Sequence, residues 1–481
     1  MEPSTPTHPV VDLLNAAEAA NPAGIAIEAP GESLTYRQLV ASVEDTSTHL
    51  VARGVRPGQR VLLLGDRASS FVVALLAIWK VGAVPAPVDA THPPARLRRY
   101  AAAAAADWEM AISSSIELSR PGHTRHGVPS GLSHILFTSG TTGEPAAVAV
   151  STEPIRAMMA WYRNEFAVTS DDRVAMLSGL GHDPVLRDVI ATLLGAATLV
   201  IPELDVLTAP GRLAEFMAVA LPTILHCTPA LLEFGLLGQQ VPAEFASPRL
   251  ILSGGAPLAP DMAAWIRERC PAARLLNVYG ATETPQVATA YEVREQENPI
   301  PIGAGVAGAV ALLASELPGL GGAADELVVR SPNLATGYLG TGREGETFAP
   351  DPLGEPGYRV YRTGDRATRR HDGAIVLTGR LDRQVSVNGY RVALEEIEVV
   401  ALSHPEITHA EAALRKGAFG DTLTLAVELV QPDAVDRAAL RRHLREHLPV
   451  HAIPSAIQVG ARLLDKNNKL RLASAGDVSG R

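Results

Sequence analysis

Ile135-Leu-Phe-Thr138-Ser139-Gly140-Thr141-Thr142-Gly143-Glu144-Pro145 is an apolar run that passes directly into a loop of hydroxyls and glycines. The apolar part reads as a strand. In the loop, glycine lets successive backbone N–H groups converge on an anion and threonine hydroxyls add donors, which makes a polyphosphate cradle. Taken alone, the same residues also read as an ordinary polar loop. The surroundings set the fold class. Upstream, a strand pattern at Arg60–Leu64 is followed by a helical one at Phe71–Trp79 and another strand at Ala83–Val88. Downstream, Pro154–Trp161 has helical spacing. Alternation of this kind predicts an α/β architecture with largely parallel sheets. Glycine- and proline-rich stretches at Ser113–Gly131, Glu316–Ala323 and Leu339–Gly357 read as surface loops. The tract Ala101–Ala106 reads as part of a helix. After Asp382 the texture changes to a compact strand-and-helix set of about 100 residues, enough for a small separate domain. The expected division is a large N-terminal domain over 1–381 and a small one over 382–481.

The chain has 481 residues, 47% hydrophobic and 20% charged, with a net charge of −10. A core of that size needs no disulfide or metal to hold it, and two cysteines are too few for either a disulfide framework or a four-thiolate zinc site. The acidic balance argues against a nucleic-acid partner, which calls for basic faces. The longest apolar run, Val189–Pro202, is too short to span a bilayer, so no membrane association is expected. No basic segment leads into an apolar one near Met1 and no N-x-[ST] sequon occurs, so the expected location is cytoplasmic. Only four of the 42 basic residues are lysine: Lys80, Lys416, Lys466 and Lys469.

Two patterns look like sites and are read otherwise. Gly303-Ala-Gly305-Val-Ala-Gly308 spells a dinucleotide fingerprint, but Pro299 and Pro301 stand where the strand should end and no helix start follows, so a loop is expected. His443-Leu-Arg-Glu446-His447 spells a zinc-protease arrangement. Leu440, Leu444 and Leu448 recur at helical spacing there, which would turn the histidines to solvent, and no other ligand cluster supports a metal.

The hydroxyl loop is one of an ordered series. Asn277-Val-Tyr279-Gly-Ala-Thr282-Glu283-Thr follows it, then Tyr361-Arg-Thr-Gly-Asp365, Gly379-Arg380-Leu-Asp382, Gly389-Tyr-Arg391 and Asn467-Asn468-Lys469. The series resembles the adenylate-forming superfamily, most closely the adenylation domains of nonribosomal peptide synthetases. It covers nearly the whole chain, from Leu34-Thr-Tyr36 and Lys80-Val-Gly82 to Lys469. The resemblance implies the adenylate-forming fold: a large N-terminal α/β domain of sheets layered with helices, and a small mobile C-terminal α+β domain. It also implies that a carboxylate is joined to the α-phosphate of ATP, with Mg2+, before the acyl group passes to a thiol.

What the resemblance implies is carried position by position. Thr138, Ser139, Gly140, Thr141, Thr142 and Gly143 form the phosphate cradle. Glu283 coordinates magnesium and Thr282 bonds the phosphate. Tyr279 stacks on adenine. Asp365 clamps the ribose, and Gly255, Asn277 and Arg380 complete the nucleotide site. Lys469 is the catalytic lysine, an ammonium that bridges the carboxylate and the α-phosphate while charge builds between them. Asp382 is the hinge between adenylation and thiolation states. Gly389 lies on the loop that lets a phosphopantetheine arm approach; a plain turn glycine is the other reading.

The chain departs from the family in two places. The phosphate loop usually carries a lysine after its proline, and here Ala146 follows Pro145; weakened ATP binding is the expected result. The tail motif usually reads N-G-K, and here Asn468 replaces the glycine.

Gly181-His182-Asp183-Pro184-Val-Leu-Arg187-Asp188 lies where amino-acid-activating members carry F-D-x-S. Asp183 then matches the carboxylate that binds an α-ammonium; its alternative role is a helix N-cap. The family's pocket positions project onto Asp183, Pro184, Arg187, His226, Leu252, Gly254, Val278, Gln286, Val287 and Lys469. Arg187, His226 and Gln286 make the pocket polar and Gly254 leaves room along one wall. A substrate with a polar or anionic side chain, or with an amino group displaced from the α-carbon, is expected, unless Arg187 pairs with Asp188.

The chain shows no L-G-G-x-S-type carrier segment, so the thiol is expected on a separate peptidyl or acyl carrier protein bearing a phosphopantetheine arm. The resemblance also admits a small MbtH-like activator protein. Two other functions remain open on sequence: an acyl- or aryl-CoA ligase of the same superfamily, which Asp183 argues against, and a degenerate binding partner, which Glu283, Asp365 and Lys469 argue against.

Overall fold

The structure, a computed structural model, describes residues 7–112, 116–121, 129–138, 144–209, 211–236, 247–294, 297–340, 347–387, 390–415, 421–429 and 437–460. It divides into two compact units. The first runs to Asp382, apart from His92–Arg99 and a stretch around Glu144 and Pro145, which group with the second; the second otherwise begins at Arg383.

The first unit is built on a nine-stranded sheet. Six neighbouring strands are parallel: Arg274–Tyr279, Leu250–Ser253, Ile224–Cys227, Arg173–Ala175, Thr198–Val200 and Ile25–Ala29. The antiparallel strands Glu32–Thr35, Thr289–Glu292 and Ala304–Gly305 close its two ends. A smaller sheet sets Val84–Asp89, Arg60–Gly65 and Trp108–Ile112 in parallel, with the helix Ser69–Lys80 crossing between the first two strands. This matches the alternation read around residues 60–88. Ten of that helix's twelve residues are buried, so hydrophobic burial rather than an amphipathic stripe holds it. Two antiparallel sheets complete the unit, one carrying Leu132–Thr138 and Ala146–Ser151, the other Glu326–Ser331, Arg359–Arg369 and Ile375–Arg380.

The motif Leu34-Thr35-Tyr36 is a helix start. Thr35 and Gln38 form a reciprocal capping box at the head of Tyr36–Arg53. Tyr36 itself is fully buried and donates to the Ala197 carbonyl at 2.7 Å.

Several local expectations are corrected. The alanine tract leaves the helix at Ala103: Ala105 takes φ +47°, and the N–H groups of Ala105 and Ala106 return to the carbonyls of Ala102 and Ala101. That is a Schellman ending with alanine in the place glycine usually takes. Two of the expected loops contain strands, Ile116–Ser119 and Phe348–Pro350. Gly303–Gly308 is a short edge strand and turn with no helix after it, as the surrounding prolines predicted.

The second unit pairs Gln384–Val387 with Tyr390–Ala393 and packs the helices Leu394–Leu402 and Arg437–His447 on the sheet Ile407–Arg415, Thr422–Leu429, Ala456–Gly460. Its core is Ile397, Val400, Leu425, Val427, Leu440 and Leu444. Arg96 and Glu396 form a buried ion pair at 2.6 Å within it. His443 and His447 are half-buried rather than turned to solvent. His443 Nε2 bonds the Val400 carbonyl and His447 Nδ1 the His443 carbonyl, each at 2.9 Å.

Candidate active site

In parallel α/β sheets, ligands bind at the carboxyl ends of the strands, because loops and helix N-termini converge there. Here those ends are His226-Cys227, Leu252-Ser253 and Asn277 to Tyr279, in register across three neighbouring strands. Two further pieces frame them. One is the N-terminus of the helix Asp183–Gly195, and the other is the turn from Gly280 to Ala288. That turn is tightly closed: the Ala288 N–H returns to the Tyr279 carbonyl at 2.8 Å, and a Cβ on Gly280 would stand 2.8 Å from the Gln286 carbonyl oxygen.

One group of predicted residues forms a closed polar network. Tyr279 donates its hydroxyl to Asp365 Oδ2 at 2.6 Å, and Arg380 pairs with the other oxygen of Asp365. The same guanidinium makes a fork onto Asp382, at 2.6 and 2.7 Å. Burial, reinforced by the adjacent Asp365 charge, pushes the Tyr279 hydroxyl far up, so it stays a donor. Tyr279, Asp365, Arg380 and Asp382 thus lie together in one network. Asn277 has a different task from the one read: its amide donates to the Pro301 carbonyl at 2.7 Å and anchors the neighbouring chain. Gly255 takes φ +79°, and Thr138 closes its strand opposite Ala146.

The second group surrounds Asp183. This residue is the first of its helix, with His182 at the N-cap, so the capping role is not its own. Asp183 Oδ2 instead accepts the backbone N–H of Gln286 at 3.1 Å, a contact across 103 residues. Burial pushes its carboxyl up to about 6, against the pull of Arg187 and of the Gln286 N–H. Gln286 is held at φ +72°, a region that non-glycine residues seldom occupy. Glu283 accepts the Tyr338 hydroxyl through Oε1 at 2.7 Å, while its buried Oε2 has no hydrogen-bond partner. An anionic oxygen held in place and left unbonded suits a divalent cation, so Glu283 fits the magnesium role. Thr282 stands beside it, partly exposed.

Two pocket readings change. His226 is fully buried with both ring nitrogens occupied, Nδ1 by Asp188 at 2.6 Å and Nε2 by Tyr162 at 2.7 Å. Its polarity is therefore spent inside the protein. Burial drives the imidazole down and the Asp188 carboxyl up. Gly254 leaves no room along a wall: a Cβ there would stand 2.8 Å from both Cγ2 and the carbonyl oxygen of Val278. The glycine is needed because the next strand lies too close. Leu252, Val278 and Val287 are buried apolar neighbours, and Pro184 follows Asp183 in the first helical turn.

Ser139, Gly140, Thr141, Thr142, Gly143, Gly389 and Lys469 lie outside the described residues. Sequence reading missed Tyr338, which holds Glu283, Tyr162, which holds His226, and Ser253, whose buried hydroxyl has no hydrogen-bond partner. Nothing local marks them. Among the described residues no helix is long and apolar enough to cross a membrane.

The model of the AMP-binding enzyme family matches residues 14–111 and 102–339. Novobiocin biosynthesis protein H of Streptomyces niveus is 31% identical over 94% of the chain and 80% of its own length. Tyrocidine synthase 3 of Brevibacillus parabrevis is 29% identical over 98% of the chain, which spans 8% of that synthase. Among solved structures, holo-PA1221, described as a nonribosomal peptide synthetase protein with adenylation and carrier domains, superposes with a TM-score of 0.81. It is 27% identical and is matched over 96% of this chain and 83% of its own.

Proposed function

The chain belongs to the AMP-binding family as an adenylation domain of the nonribosomal peptide synthetase type, and from that premise we propose that it activates an amino acid with ATP and loads it onto a carrier protein. In the first half-reaction the substrate carboxylate attacks the α-phosphorus of ATP. The new C–O–P bond forms as the α–β phosphoanhydride breaks, giving aminoacyl-AMP and pyrophosphate. In the second, a phosphopantetheine thiolate on a separate peptidyl or acyl carrier protein attacks the acyl carbon, and AMP leaves. AMP is a far better leaving group than the oxide an unactivated carboxylate would have to expel.

The observation that carries the amino-acid assignment is Asp183. Its carboxylate is held at a helix start by the Gln286 N–H, within enclosed surroundings where an ammonium contact is strong. Asp365, its geometry set by Tyr279 and Arg380, would accept from the ribose hydroxyls. Glu283 would hold Mg2+ through Oε2, and the ion would neutralise charge on the phosphates. Lys469 supplies a cation at the reacting carboxylate, and Gly389 gives the pantetheine arm passage.

Amino-acid-dependent ATP–pyrophosphate exchange tests this, with Lys469→Ala as control. The expected result is exchange with one amino acid, reduced roughly 100-fold or more in the variant. Release of AMP with simple carboxylic acids and coenzyme A, but with no amino acid, would instead place the enzyme among the CoA ligases.

A further inference from the structure

Polar atoms around Asp183 are left unbonded to a degree that protein interiors rarely tolerate. Arg187 is 4% exposed, its Nε has no hydrogen-bond partner, and no ion pair reaches its guanidinium among the described residues. Gln286 is 5% exposed, and neither its Oε1 nor its Nε2 is bonded. A buried guanidinium nitrogen left without a hydrogen-bond partner is costly, and so is an unpaired buried amide.

These groups belong to one place. Arg187 follows Asp183 by four residues in the same helix, so both project from one face, about 6 Å apart along the axis. Its charge acts on the Asp183 carboxyl, and the backbone of Gln286 bonds that carboxyl directly. The nearest acidic neighbour in sequence, Asp188, gives Oδ1 to His226 and makes no hydrogen bond to Arg187; its Oδ2 is unbonded too, and the two side chains interact only through their charges. A cation and an amide donor therefore flank the group that receives the ammonium.

We propose, resting on the amino-acid reading above, that the substrate carries a second carboxylate, bound by the Arg187 guanidinium and the Gln286 side-chain amide while Asp183 holds the ammonium. The class is the dicarboxylic amino acids, with aspartate, glutamate and α-aminoadipate as its members of increasing length. A second carboxylate satisfies the guanidinium, as the planar fork of arginine matches carboxylate geometry. A basic side chain meets repulsion at the same point, and an aliphatic one leaves three buried polar atoms unpaired.

The test is pyrophosphate exchange with the full chain across all proteinogenic amino acids and α-aminoadipate, comparing each acid with its neutral counterpart, such as glutamate with glutamine. One dicarboxylic acid is expected to exceed its amide by roughly 10- to 100-fold in kcat/KM. Arg187→Gln should erase most of that ratio through KM, and Arg187→Lys should retain part of it. Arg187→Leu should erase the acid-to-amide ratio altogether, and partial rescue of that ratio by Arg187→Lys is a readout that a merely structural role would not give. Should the arginine variants fail to fold, Gln286→Leu serves, with a roughly tenfold loss of the same ratio. Strongest exchange with a neutral or basic amino acid overturns the inference and leaves the amino-acid function standing, as does an acid-to-amide ratio unchanged in Arg187→Gln. Exchange with no amino acid overturns both.

Discussion

The two halves of the candidate site are built on opposite principles. Around Asp365 the charged groups are answered: Tyr279 and Arg380 take its two oxygens, and Arg380 donates further to Asp382 and to the Thr363 carbonyl. Around Asp183 and at the neighbouring strand ends, buried atoms of Arg187, Asp188, Gln286, Ser253 and Glu283 have no hydrogen-bond partner. A satisfied network holds its geometry without help and adds to stability. Unsatisfied groups subtract from stability, and they gain only when something binds. Under the proposed function the contrast separates a nucleotide half, held by its own bonds, from a substrate half whose polarity would answer a ligand.

The contrast is sharpest at the two aspartates. Asp183→Asn should lower kcat/KM for the amino acid by roughly 100- to 1,000-fold, since it removes a charge-assisted contact in enclosed surroundings. The ATP KM should stay within about twofold, and an equal loss on the ATP side would break the division into halves. A pH series carries the same information. The Asp183 carboxyl is raised to about 6, so it is ionised above that value and protonated below it. Amino-acid kcat/KM should therefore fall about tenfold per pH unit below that point, and the asparagine variant should lack the inflection.

Asp365→Ala should behave in the opposite way. It strips a partner from both Tyr279 and Arg380, so stability should fall by about 2 kcal/mol in urea unfolding, along with a roughly tenfold rise in the ATP KM. The smallest effect should come from Ser253→Ala. Its buried hydroxyl already lacks a partner, so unfolding free energy should change by less than about 1 kcal/mol. A loss of 2 kcal/mol or more there would show that the substrate half is bonded after all.

Much of this was legible in sequence wherever the information was local. The strand at residues 60–65 and the helix after it announced themselves by apolar runs of the right length. Asp183, Glu283 and Asp365 could be picked out because short motifs surround them. The misreadings involve partners far along the chain or side chains whose reason lies elsewhere. His226 looked like a pocket wall because Tyr162 stands 64 residues away and Asp188 stands 38 away. Gly254 looked like spare room because Val278, which crowds it, lies on the next strand. The alanine tract carries strong helix propensity throughout, but a tight ending that buries Ala104 and Ala106 takes the place of three more helical residues.

The fork between Arg380 and Asp382 also has a mechanical meaning. Asp382 is the last residue of the first unit, and the chain beyond it opens the second. A polypeptide joint is ordinarily as compliant as its backbone torsions, yet this one is pinned on its upstream side by two charge-assisted hydrogen bonds. The arginine that pins it is the same one that pairs with Asp365. The backbone up to Asp382 is thereby stiffened by an electrostatic contact, one that salt weakens.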